Sequence, residues 1–247
     1  MTDPASVFRA LHHGRRPGVP LVLPGPWDVP SAQAFEEAGF PALATPSAGV
    51  AASLGYADGQ TPAAVMFAAV ARIARAVSVP VSADIEAGYG LAPDELVGRL
   101  LEAGAVGCNL EDSVDGVLVD PREQADRLAR VRAAAGGGLF VNARIDTYVH
   151  GTPGATDAEA EADTIARARL YAEAGADCVY PIMAPADSLP RLAAAVTVPL
   201  NALGTPDGPS ATRRLGELGA ARITFGPQLQ RRAVEAVRGL ADRLAGR

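Results

Sequence analysis

No lysine occurs in the 247 residues; all 22 basic side chains are arginine. A Schiff-base mechanism needs a lysine amine, so class I aldolase chemistry is excluded. Any carbanion formed here must be stabilised by a metal ion, an oxyanion hole or a bound cofactor. Cysteine is equally sparse. Cys108 and Cys178 have no metal-type spacing and read as two core thiols in a reducing, cytoplasmic setting. No apolar run approaches the roughly 18 residues of a membrane span. The opening residues lack an apolar h-region, so no signal peptide is expected. There is no basic run either, and the formal net charge of −6 argues against nucleic acid and anionic membranes as partners.

What is present is rhythm. Half-apolar composition (49%) provides for a large core, and the length suits one (β/α)8 barrel of roughly 250 residues. Short β-like runs at 20–24, 41–45, 79–84, 106–111, 139–145, 177–181, 197–201 and 221–225 alternate with helical runs near 30–38, 62–77, 93–103, 121–135, 157–174, 187–195, 208–218 and 228–244. Eight strands, each followed by a helix, predict an α/β fold with a single TIM-type barrel over residues 1–247. A leading helix near 4–13 is expected to cover its floor. EEAGFPAL, LEAGAVGCNL, AEAGADCVY and GELGAARIT repeat one form, a helix end, a glycine and an apolar strand. Gly39, Gly104, Gly175 and Gly219 are thus expected in the left-handed conformation. Residues 151–163 read as the longest loop. An open doubly wound sheet is the weaker alternative, because LVLPGPWDVPSA lacks the Gly-rich phosphate fingerprint.

In a barrel, reactive groups collect at the C-terminal ends of the strands. Strand 3 ends in Asp84-Ile85-Glu86 and strand 4 in Glu111-Asp112, which brings Asp84, Glu86 and Glu111 to one rim. Clustered carboxylates repel unless a proton or cation sits between them, and hard oxygen donors suit Mg²⁺, with Mn²⁺ as a second choice. Arg144, on the next strand, can hold a carboxylate or phosphonate bidentately. Asp112 and Asp146 read as caps or salt-bridge partners, His150 as a loop residue, and His12 and His13 as surface.

The runs AGFPALATPSAGVAASLGYADG, VSADIEAGYG, GCNLEDS and VNARIDTY together resemble the isocitrate lyase / phosphoenolpyruvate mutase superfamily over about residues 24–226. The resemblance implies a (β/α)8 barrel whose last helix is exchanged between subunits of a dimer or tetramer. It implies Asp84 as the direct Mg²⁺ ligand, Glu86 and Glu111 as holders of metal-bound waters, Asp58 as another acid of that shell, and Arg144 as the substrate-anion arginine. Ser47, Ala48 and Gly49 stand where the superfamily binds a substrate carboxylate. Trp27 and Asn201, at the ends of strands 1 and 7, are taken as further substrate contacts. The chemistry implied is formation or cleavage of a C–C or P–C bond through a metal-stabilised enolate.

The departures bear on the reaction. The lyases carry a Lys-Arg-Cys-Gly-His-type lid after strand 4, and the mutases use a Lys and an Asn there. Here the stretch is EDSVDGVLVDPREQADRL, and only 33 residues separate Glu111 from Arg144. Glu86 replaces an Asp, and Pro46 has no N–H to offer. Asp58 through a water, or Tyr89, is a candidate acid or base. The expectation is a Mg²⁺-dependent carbon–carbon lyase acting on a small α-oxo or α-hydroxy acid, cytoplasmic and homo-oligomeric. Phosphonopyruvate hydrolase or mutase chemistry, with Arg122 as the extra cation, is the first alternative. An oxo-acid-binding barrel without turnover is the second.

Overall fold

The computed structural model describes residues 3–13, 16, 18–151 and 154–246. In chain order the elements are α1 (Pro4–Leu11), β1 (Leu21–Val22), α2 (Val29–Glu37), β2 (Leu43–Ala44), α3 (Ser47–Leu54), α4 (Ala63–Ala76), β3 (Val81–Asp84), α5 (Pro93–Glu102), β4 (Gly107–Glu111), β5 (Ser113–Val114), β6 (Val117–Leu118), α6 (Pro121–Ala135), β7 (Phe140–Ile145), α7 (Thr147–His150), α8 (Asp157–Glu173), β8 (Cys178–Pro181), α9 (Leu189–Ala195), β9 (Asn201–Leu203), α10 (Pro209–Glu217), β10 (Arg222–Thr224) and α11 (Gln228–Leu244).

Parallel strands run β2-β3-β4-β7-β8 on one side and β1-β10-β9 on the other. The bridge Val179↔Leu200 joins β8 to β9, and the Ala44 amide donates to the Pro24 carbonyl between β1 and β2 (3.1 Å). These contacts curl the eight strands into the expected barrel. The predicted 197–201 strand starts late, at Asn201, because Pro199 cannot donate to a ladder.

Local sequence sets the helix ends. Asp28 and Ser31 form a capping box on α2, Asp120 accepts from the Arg122 and Glu123 amides at α6, and Thr156 with Glu159 caps α8. That last box starts α8 at Asp157, the expected helix start, so the loop expected over 151–163 ends seven residues sooner; 152 and 153 lie outside the described residues. Gly39, Gly104, Gly175 and Gly219 all have positive φ, between 80° and 103°.

Side chains alternate across each strand. Val81, Ala83, Cys108, Leu110, Val141, Ala143, Ile145, Val179 and Ile223 are buried and face outward to the helices. The intervening residues face inward and form tiers. Phe140, Cys178 and Leu21 lie at the floor with Phe8 of α1, so the leading helix covers the barrel as expected. Above them come Asn109, Asn142, Asn201 and Arg222, and at the top Asp84, Glu111, Arg144, Tyr180 and Thr224. The middle tier is polar: Asn142 donates to Asn109 within it (2.8 Å), and Asn201 donates to Thr224 of the tier above (3.0 Å). Arg222 is fully buried, with its guanidinium 5.8 Å from the Phe8 ring centre and 6.0 Å from that of Phe140.

Four expectations change. His12 is not on the surface: it is 4% exposed, stacks on Phe140 at 4.1 Å, and places Nδ1 2.8 Å from the Phe8 carbonyl. The residues after strand 2 form α3 rather than an open loop; that helix has Pro46 at its N-cap and no side-chain cap. Residues 113–118 form a hairpin, and 147–150 a short helix. Along α11, Val237, Leu240 and Leu244 remain exposed.

Candidate functional site

Asp84 ends β3 opposite Asn109 of β4. Its Oδ2 accepts from Ser47 Oγ (3.0 Å) and the Ser47 amide (3.4 Å), and its own amide donates to Thr45 Oγ1 (3.3 Å). The turn at the start of α3 therefore delivers Ser47 to Asp84. Burial raises the Asp84 pKa, partly opposed by Arg144 and the Ser47 bonds. Two residues on, Glu86 adopts φ 52°, a left-handed geometry that costs a non-glycine residue about 1–3 kcal/mol and is concentrated at functional sites. Its Oε1 is buried with no hydrogen-bond partner among the described residues. Burial, then the charges of Asp84 and Asp58, push its carboxyl up to about 7.

Glu111 ends β4, and Arg144 lies directly across on β7. Arg144 bonds to Glu111 Oε2 at 2.7 Å and grips Asp146 through Nε (2.7 Å) and Nη2 (3.2 Å). Burial pushes Glu111 up to about 8 against the pull of Arg144. Burial would lower Arg144, but Asp84, Glu111 and Asp146 outweigh it and hold the guanidinium above its usual range. Asp146 also accepts from Ser113 Oγ. Asp112, fully buried, accepts from the Asp146 amide (2.8 Å), Arg167 (3.0 Å) and Tyr171 (2.7 Å). Both aspartates are thus salt-bridge partners rather than side-chain caps, and they fix Arg144 from behind.

These groups open into one cavity of about 860 Å³, lined by Thr45, Pro46, Ser47, Ala48, Asp58, Asp84, Glu86, Tyr89, Asn109, Glu111, Arg144, His150, Tyr180 and Thr224, among others. Tyr89, φ 56°, has no partner for its hydroxyl among the described residues, and burial with the nearby acids raises its pKa. Asp58 is exposed at the edge.

Three expected substrate contacts do not line the cavity. Trp27 packs with Val50, Met66 and Ala69 and meets Phe35 edge-on at 6.4 Å. Gly49 is wedged beneath Pro46, where a Cβ would come within 2.9 Å of the proline ring. Asn201 is buried and reaches the cavity only through its bond to Thr224. Arg122, the extra cation expected for a phosphonate, is exposed and away from the lining, whereas Arg127 and Arg130 of α6 do line it.

The acid cluster suits a hard cation: three half-buried carboxylates face one space, and Glu86 Oε1 lacks a partner among the described residues. Among the described residues no three His, Cys, Asp or Glu side chains converge into a direct cage. The arrangement fits an ion that keeps much of its own water rather than one held by the protein alone.

The sequence profile of the phosphoenolpyruvate phosphomutase family matches residues 8–245. The chain belongs to this family. A crystal structure of a supposed phosphonomutase from Burkholderia cenocepacia J2315 superposes with TM-score 0.89 at 39% identity, covering 97% of this chain and 98% of that one. An uncharacterized Mycobacterium tuberculosis protein is 38% identical over 220 residues, 89% of this chain and 81% of its own. The structure of 2,3-dimethylmalate lyase, a member of the phosphoenolpyruvate mutase/isocitrate lyase superfamily, aligns with TM-score 0.83 at 28% identity over 99% of this chain and 88% of that one. Enzymes of this superfamily are carbon–carbon lyases and mutases, and their substrates are small organic acids. Among the described residues no helix is long and apolar enough to cross a membrane.

Proposed function

We propose that this member of the phosphoenolpyruvate mutase family is a Mg²⁺-dependent lyase that makes or cleaves a carbon–carbon bond next to an α-oxo or α-hydroxy acid. The observation that carries the reading is the convergence of Asp84, Glu86 and Glu111 beside Arg144 in a single cavity. When bound, the cation supplies Lewis-acid stabilisation of the negative charge that develops on the oxo-acid oxygens. Ser47 and the Ala48 amide face the same space and hold the carboxylate end. Arg144, gripped by Asp146 and Glu111, provides a fixed positive field that does not reorganise as the enolate forms. Tyr89 and Asp58, both in the cavity lining, are the groups proposed to pass a proton. Assembly into a homo-oligomer is supported by the exposed apolar residues of α11, and a cytoplasmic setting by the free cysteines.

Incubation with 2-oxo and 2-hydroxy di-acids, with and without Mg²⁺, tests the reading. Mg²⁺-dependent consumption that disappears in Asp84→Ala is expected. The absence of metal binding, or turnover indifferent to that substitution, would sink it. P–C bond chemistry is the second reading, favoured by the two further arginines at the cavity wall; phosphonopyruvate in the same panel decides it.

Glu86 allows a pH test on the metal-free protein. Its folded pKa is raised from 4.5 to about 7, so the folded state binds the extra proton. Its contribution to stability is therefore present below about 4.5 and declines as pH rises through 7. Glu86→Gln should flatten thermal stability between those limits, and an unchanged slope in a melting series would count against the assignment.

A further inference from the structure

Arg144 is committed to Asp146 and Glu111, yet a second guanidinium at this cavity has no such partner. Arg127 is half-buried on α6 and lines the cavity. No ion pair or hydrogen bond engages its guanidinium among the described residues. The guanidinium lies against the loop after β3, where a Cβ built at Gly88 would approach Arg127 Nη2 to 2.6 Å, with Leu96 and Leu110 beside it. The charge it feels most is Arg130, of the same sign and one helical turn away on the same face. A half-buried cation flanked by leucines and repelled by a second cation is costly unless an anion joins it. Gly88, at φ 76°, lets the backbone pass beneath the guanidinium, and Glu86 is two residues away, at most about 7 Å along the chain.

We infer that Arg127 and Arg130 form a second anion subsite, which takes the carboxylate or phosphonate at the far end of a substrate whose oxo-acid end lies at Asp84. The inference rests on the proposed function and narrows its substrate class to acids with two anionic ends. Paired guanidinium groups favour oxyanions because each presents N–H groups in a fixed fork. The acid cluster and the arginine pair thus sort the two ends of one molecule: one end goes to the acids and their cation, the other to Arg127 and to Arg130, whose Nε also donates to the Asp126 carbonyl (3.3 Å).

Calorimetric titration in Mg²⁺ buffer compares pyruvate, which has one anionic end, with 2-oxoglutarate, 2-oxoadipate and phosphonopyruvate, which have two. In the wild type at least one two-ended acid should bind about ten-fold or more tightly than pyruvate, the scale of a charge-assisted hydrogen bond. Arg127→Gln/Arg130→Gln should erase that margin while pyruvate stays within about two-fold. Arg130→Glu, at an exposed position that folding does not depend on, should do so in part, and Arg127→Lys should restore some of it. Whether carboxylate or phosphonate is preferred identifies the natural end group. If pyruvate binds but no two-ended acid gains over it, or if the double substitution weakens both classes equally, the subsite is wrong while the Asp84 site stands. If no acid binds the wild type, the proposed function falls and this inference with it.

Discussion

Asp84→Asn is expected to remove turnover and to raise the melting temperature of the metal-free protein. The two effects have one cause. Burial holds the Asp84 carboxyl above its usual range, so above the ordinary carboxylate range carrying its charge into the fold opposes folding. Asn keeps the volume and still accepts from Ser47 Oγ, but removes that charge. It also removes the anionic oxygen on which the proposed cation binding depends. Loss of an electrostatic contact aimed at developing charge costs about 10²–10³ in rate, and loss of the proposed metal ligand should cost at least that. Melting in chelator, paired with rates in Mg²⁺, reads both quantities. A variant that melts several degrees lower would recast Asp84 as a structural anchor for α3.

Asp112→Ala should unfold the protein most readily of any single change near the site. The carboxylate is fully buried and accepts from Arg167, Tyr171 and the Asp146 amide. Its removal leaves the Arg167 charge without its buried acid, and breaking such a pair costs about 3–5 kcal/mol. For a chain of this size that is a fall of roughly 10 °C or more in Tm. The Asp146 backbone also loses its tether, so the grip on Arg144 loosens and substrate binding should weaken in whatever fraction remains folded. Asp112→Asn keeps an acceptor for the Asp146 amide and should recover part of both losses. A drop under about 1 kcal/mol in denaturant titration would show that the network is not supporting the fold.

The barrel could be read from the chain because its signals are local. Each strand is a short apolar run, α1, α2, α6 and α8 carry their own side-chain caps, and four glycines mark where helix turns into strand. The rim acids followed from the strand ends, since alternation fixes which face each residue takes. What escaped depended on tertiary context or on a cue passed over. Arg127 and Arg130 sit at helical spacing in an Arg-rich run, where arginine normally faces water; that both line the cavity, with Arg127 against Gly88, is set by packing between distant elements. His12 is drawn under the barrel by Phe140, 128 positions away in the chain. Trp27 sits at a strand end yet turns toward Phe35 and Met66. The hairpin was different, because Val-Asp-Gly-Val carries a strong short-range turn signal.

That hairpin defines the mouth of the site. Ser113 pairs with Leu118 and Val114 with Val117, and Asp115 and Gly116, both at positive φ (50° and 76°), close it as a two-residue turn backed by His150. A turn this short has no slack to swing over a ligand, and α6 begins only three residues after β6. Under the proposed function, the reacting carbon is then open to solvent. A carbanion formed there is quenched by a proton within easy reach, whereas carrying a phosphoryl group intact between two ends of a molecule calls for a dry chamber. A mouth fixed open in this way favours cleavage that finishes with a proton and disfavours rearrangement.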